Sequence, residues 1–176
     1  MIYNERDIRR KHVIEAAMQM MTAARTAPKA KGVDIIEVAL VTDEDIQKLS
    51  DELNAIGERL GRGGLLRDAG NILSADAIVL IGSHEEPMGL NCAYCGCPTC
   101  DSRPAGIPCA MNTIDVGIAV GSACATAADW RLDTRVMYSA GYAAKQLGWM
   151  DGCNFIIAIP VSASSKNPFF DRKRKV

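Results

Sequence analysis

Apolar side chains recur along this chain with two spacings, and the change from one to the other divides it into helices and strands. Asn4 stands ahead of a first helix as its cap, with Asp7 in the opening turn. Ile8, Val13, Ala17, Met20, Met21 and Ala24 approximate one apolar face. This helix should end near Ala27, because Pro28 cannot continue it, and Lys29-Ala-Lys-Gly32 then makes a short basic turn. The unbroken run Asp34 to Val41 reads as a largely buried strand. Thr42 is placed to cap the next helix, with Asp45 three residues on. There Ile46, Leu49, Leu53, Ile56 and Leu60 step by three and four, the clearest amphipathic pattern in the chain. Gly61-Arg-Gly-Gly64 breaks it; Leu65 to Leu73 forms a further helix and Ala77 to Ile81 a central strand.

Beyond a loop rich in cysteine, a long helix runs from about Met111 to Trp130, built largely of Ala, Gly and Ser. Glycine inside a helix costs about 1 kcal/mol relative to alanine, so tertiary contacts must support it; small residues let backbones approach. It reads as a buried central helix that also suits a dimer interface. Arg135 to Tyr138 reads as a short strand, Gly141 to Leu147 as a helix, and Phe155 to Val161 as a buried strand. Pro160 has no N–H to give a ladder, so it places that strand at an edge or marks its end.

Composition narrows the class. A chain of 176 residues defaults to one domain, and 48% hydrophobic residues suffice for a core. A net charge of −1 points to neither nucleic acid nor membrane, and no apolar run approaches a membrane span. The first residues, Met1 to Asp7, lack the hydrophobic region of a signal sequence. Seven cysteines without such a signal imply a reducing cytoplasm.

Five of those cysteines, Cys92, Cys95, Cys97, Cys100 and Cys109, fall between Asn91 and Asn112. No helix or strand period fits them, and Gly96, Pro98, Pro104, Gly106 and Pro108 make the segment a loop. Three readings compete. A disulfide framework suits small secreted proteins, not a chain long enough to fold without staples. Structural zinc on Cys92/Cys95 and Cys97/Cys100 needs two knuckles to face one ion across Gly96 alone. The spacing favours the third reading, a cubane cluster bound by Cys92-x2-Cys95-x4-Cys100 and closed by Cys109, with Cys97 as a spare or substitute thiol.

Other candidates have plainer readings. His12 reads as a helical surface histidine and Cys124 as a small buried hydrophobe; Cys153 reads as structural. His84 leaves the central strand just ahead of the cysteine loop, close enough in sequence to touch a cluster there, with an ordinary loop histidine as the plainer reading. In an open α/β sheet such a strand end is where ligands gather. Gly61 to Gly64 lacks any P-loop or Rossmann spacing, and the basic tail, with Lys166 and Arg172 to Lys175, reads as solvated or as an anion site.

The cysteine run resembles the motif of ferredoxin-type 4Fe–4S domains. Together with Ile114 to Ala123, Arg135 to Tyr138 and Ile159 to Arg172, it makes nearly the whole chain similar to a family of bacterial and archaeal proteins that contain a ferredoxin domain. That resemblance implies an iron–sulfur cofactor and names no reaction. Met20 to Gly32, followed by a strand and a helix, is similar to the start of nitroreductase-like flavoproteins. This second resemblance implies an α+β fold, a three-layer sandwich with the cysteine-rich loop 91–112 inserted into one domain spanning 1–176. It also implies a homodimer with FMN at its interface. The sequence departs from that pattern at Lys29, where the flavoproteins have Ser, and it lacks their Asn and Gln-Pro-Trp run. Lys166 and Arg172 are then the candidates for a flavin phosphate. The expected function is single-electron transfer through one 4Fe–4S cluster held by Cys92, Cys95, Cys100 and Cys109, to an unknown partner or a bound flavin. The alternatives are a non-enzymatic module with structural zinc and an FMN-dependent oxidoreductase fed by the cluster.

Overall fold

The structure, a computed structural model, describes residues 1–170. Among these residues five α-helices and four strands follow one another as α1 (Glu5–Thr26), β1 (Ile36–Val41), α2 (Glu44–Arg59), α3 (Gly63–Ile72), β2 (Ala77–His84), α4 (Ala110–Asp129), β3 (Asp133–Thr134), α5 (Tyr138–Gln146) and β4 (Cys153–Ser162). The strands form one sheet in the order β1-β2-β4-β3, every neighbouring pair antiparallel.

Helices cover both faces of this sheet, and β2 shows why. Successive side chains of a strand point to opposite faces. Ala77, Val79 and Ile81 pack with α1 and α4, while Ile78 and Leu80 pack with α2, α3 and α5. Both sets are apolar because neither face meets water, which is why the strand reads as an unbroken hydrophobic run. The result is the expected three-layer sandwich. Ile46, Leu49, Leu53 and Ile56 of α2 are buried as their spacing requires, and only Leu60, past the end of the helix, is exposed.

Local chemistry explains the helix starts. The Asn4 side chain accepts from the Arg6 N–H at 3.0 Å, and Ala27 ends α1. Thr42 does not cap α2; that place falls to Asp43, which makes no side-chain cap bond. Its carboxylate instead takes Arg10 of α1 at 2.8 Å.

Three strand expectations need correction. β1 is an edge strand and only partly buried, with Glu37 exposed. The short strand is Asp133–Thr134 rather than Arg135 to Tyr138. Arg135 turns away to Asp68 and the Phe169 carbonyl, Met137 makes a lone bridge to Ala158, and Tyr138 already begins α5. Pro160 lies inside β4, between two neighbours. Ala158 exchanges both backbone bonds with Met137, so Pro160, two residues on, directs its missing donor toward the same side. There the chain has left the ladder between Thr134 and Met137, and no N–H is needed. Among the described residues, no helix is long and apolar enough to cross a membrane.

Candidate metal centre

Residues 85 to 109 connect β2 to α4 without helix or strand, and they carry the cysteine run. The ends of this connection are tied to the body by polar side chains. Asn112, buried in the first turn of α4, donates to the Glu86 carbonyl at 3.0 Å and accepts from its N–H at 3.3 Å. Glu85 accepts from Arg103 within the loop and from Asn154 on β4. Met88 is buried in the core beside α1 and α4, and its carbonyl accepts from Lys31 at 3.2 Å. These contacts bring residues distant in sequence back to the end of β2.

Within the loop, backbone conformation sets the spacing of the thiols. Asn91, Ala93 and Gly96 all have positive φ, 48°, 58° and 85°. Asn and Gly adopt this region readily; Ala93 does not, and it is held there by the turn in which the Gly96 N–H donates to its carbonyl at 2.9 Å. Asn91 also clamps Cys100: its side-chain oxygen accepts from the Cys100 N–H at 2.8 Å, and its own N–H donates to the Cys100 sulfur at 3.4 Å. A thiol already accepting a backbone N–H is what a sulfur-ligated metal group requires of its surroundings.

All five loop cysteines line one cavity, with Pro87, Asn91, Arg103 and Ala110 among the other walls. Cys92, Cys95, Cys100 and Cys109, the four expected ligands, are therefore brought to a common space, and Cys97 joins them. The cavity measures about 10 Å³. A single water needs roughly 10–15 Å³ on this measure. Among the described residues, no three His, Cys, Asp or Glu side chains converge as one metal ion would draw them. The thiols surround a closed cleft rather than a point.

Their electrostatics differ. Cys109 is the buried cap of α4. Burial alone would raise its pKa, yet the N–H groups of Met88, Met111 and Asn112 and the charge of Arg103 bring it below the ordinary thiol value. Two of these N–H groups, those of Met111 and Asn112, belong to the first turn of α4. Cys97 is pushed up by desolvation and by its contact with the Cys95 thiol. Arg103 is the cation of the site. Its side chain is 9% exposed, one nitrogen is paired with Glu85, and its Nε is buried with no partner. A buried donor without a partner is a group to which an acceptor can still bind. Five thiols, a cation and an unused N–H form a donor set suited to an anionic metal–sulfur group.

Sequence reasoning found the thiols and missed Asn91, Arg103 and Asn112. One signal was present: Arg103 is the only Lys or Arg between Asp68 and Trp130. His84 does not line the cavity; as the last residue of β2 it contacts Glu37 at 3.2 Å and the Gly152 carbonyl at 3.3 Å. The rule that ligands gather at strand ends belongs to parallel sheets and does not apply to this antiparallel one. Of the two candidates for a flavin phosphate, Lys166 follows β4, its carbonyl accepting from Ser164 at 2.7 Å, and Arg172 lies outside the described residues.

The layered fold with its antiparallel sheet is that of the nitroreductases. A nitroreductase with bound FMN from Desulfitobacterium hafniense matches with a TM-score of 0.60 at 14% identity, over 86% of this chain and 78% of that one. An NADPH:FMN oxidoreductase from Vibrio harveyi complexed with NAD+ matches with a TM-score of 0.57 at 11% identity, over 90% of this chain and 63% of that one. Such identities establish the fold alone. Residues 105–172 match a family described as uncharacterized proteins containing a ferredoxin domain. An uncharacterized protein of Archaeoglobus fulgidus is 38% identical over 185 residues, covering 99% of this chain and all of that one. The chain belongs to this ferredoxin-domain family. The matched segment includes Cys109 and Arg135 and begins after the other four loop cysteines.

Proposed function

We propose that this protein is an iron–sulfur redox protein that holds one 4Fe–4S cluster through Cys92, Cys95, Cys100 and Cys109. The observation that carries this reading is the cavity at the end of β2, lined by all five loop thiols and by the cation Arg103. The ferredoxin-domain description of the family supports it, as does the spacing of the first three ligands. When bound, such a cluster takes up and releases electrons one at a time. The chain's part is to supply the thiolates, offset their charge and keep water away. Cys109 comes from the cap of α4 and the other three ligands from the loop.

The electron partner is a redox protein or a flavin. The flavin reading rests on the fold, because the Desulfitobacterium hafniense relative carries FMN. In it, two copies of this chain pair, and Lys166 and Arg172 are the candidates to bind the flavin phosphate. An exposed stripe on α4 fits the pairing: Ile114, Gly117, Ile118, Gly121 and Ala125 recur at helical spacing without a charge.

The test is a one-electron reductive titration of anaerobically purified protein, followed by electron paramagnetic resonance. Wild type should develop a cluster signal on reduction. Serine at Cys92, Cys95, Cys100 or Cys109 should abolish or severely weaken it, and Cys97→Ser should keep it. A signal independent of all four positions rejects the ligand set. Flavin absorbance released on denaturation reports FMN in the same samples.

A further inference from the structure

Arg103 is expensive to bury where it stands. It lies in a polar loop with solvent nearby, yet its side chain is 9% exposed and faces the thiols. Glu85 neutralises one end of the guanidinium, and Asn154 fixes Glu85 in turn. The Nε–H is left over, buried and without a partner. The charge of Arg103 is felt at Cys95, Cys97 and Cys109, on both sides of the cavity. A merely structural arginine would leave its unused N–H toward water. This one keeps it buried, on a side chain that lines the thiol cavity.

Resting on the iron–sulfur reading above, we infer that Arg103 is a positioning and tuning residue for the cluster: its Nε–H donates to a cluster or cysteinyl sulfur, and the Glu85–Arg103 pair sets the reduction potential. Four thiolates leave a cubane net negative, and an added electron makes it more so. A guanidinium beside it stabilises the reduced state more than the oxidised state and raises the potential. Glu85 acts in the opposite sense, since its carboxylate offsets part of that charge while holding the arginine in place. Arginine suits the task because it stays charged and presents its donors in a rigid fork.

The experiment measures iron content and midpoint potential, by redox titration of the cluster signal, for wild type, R103Q, R103K and E85Q, all purified without oxygen. R103Q should keep its iron and titrate at a lower potential than wild type. R103K, which retains the charge without the fork, should fall between them, and E85Q should titrate higher than wild type. Opposite shifts from the two members of one ion pair are not expected of a pair that only braces the loop. A potential unchanged in R103Q at full iron content overturns the inference while the cluster reading stands. If R103Q holds no iron, E85Q decides: a raised potential supports the inference and an unchanged one overturns it. Wild-type protein without iron removes the cluster reading itself, and the inference with it.

Discussion

Cys153 shows how little the identity of a residue says without its surroundings. It lies on β4, 5% exposed, and burial, then Glu37 and Asp151, push its thiol up to about 11. A thiol in an unfolded chain titrates near ~8.5. Between roughly pH 8.5 and about 11 the unfolded chain has therefore lost this proton and the folded chain keeps it. The contribution is intact below the unfolded value and is lost as pH rises toward the folded one. We expect stability to fall with pH in that window, and the fall to be shallower in Cys153→Ala, as read by denaturant titrations at several pH values. The loop thiols share their residue type with Cys153 and little else. Their role was legible because five of them crowd into a stretch too bent by Gly and Pro to be core. Asn91 and Arg103 were not legible. An asparagine clamp and a buried arginine are defined by what they face, and no spacing records that.

At the scale of elements, α2 and β2 were readable from periodicity because each buries a continuous face. The region around α5 was not. Arg135 to Tyr138 has strand-like residues, but the helix must begin early so that Gly141 can lie directly on β4. A β-carbon at Gly141 would stand 2.1 Å from the Ile156 carbonyl oxygen, and that oxygen belongs to the backbone of a strand held in register by β2. Backbone cannot yield there as a flexible side chain would. We predict that Gly141→Ala destabilises the fold by roughly 2–3 kcal/mol, the upper part of the range for overpacking. Gly117→Ala, with nothing within 4 Å of the added carbon, should leave stability unchanged or raise it. Equal effects of the two in thermal unfolding would show that α5 and β4 do not touch as described.

For the whole molecule, the sandwich arises because both faces of the sheet are apolar and helices cover each. The order of strands and their antiparallel sense could not be read from the chain. They are set by which faces meet, and the resemblance to nitroreductases carried only the layered α+β sandwich. The proposed pairing through α4 belongs at this scale too. Placing a charge in its exposed stripe, as in Ile118→Glu, should convert a dimer to a monomer in light scattering without lowering the melting temperature by more than a few degrees. Ile118 is 39% exposed in the single chain, so little core packing is at stake. A wild-type protein already monomeric at high concentration would contradict the pairing and leave the metal site untouched.

The cysteine loop is where residue, element and molecule meet, since thiols from a turn and from a helix cap line one cleft at the end of the central strand. Its occupant is best decided by iron, acid-labile sulfide and zinc determined together on protein made and handled without oxygen. About four irons and as many sulfides per chain are expected. One zinc per chain, with neither iron nor sulfide, would contradict the cluster reading.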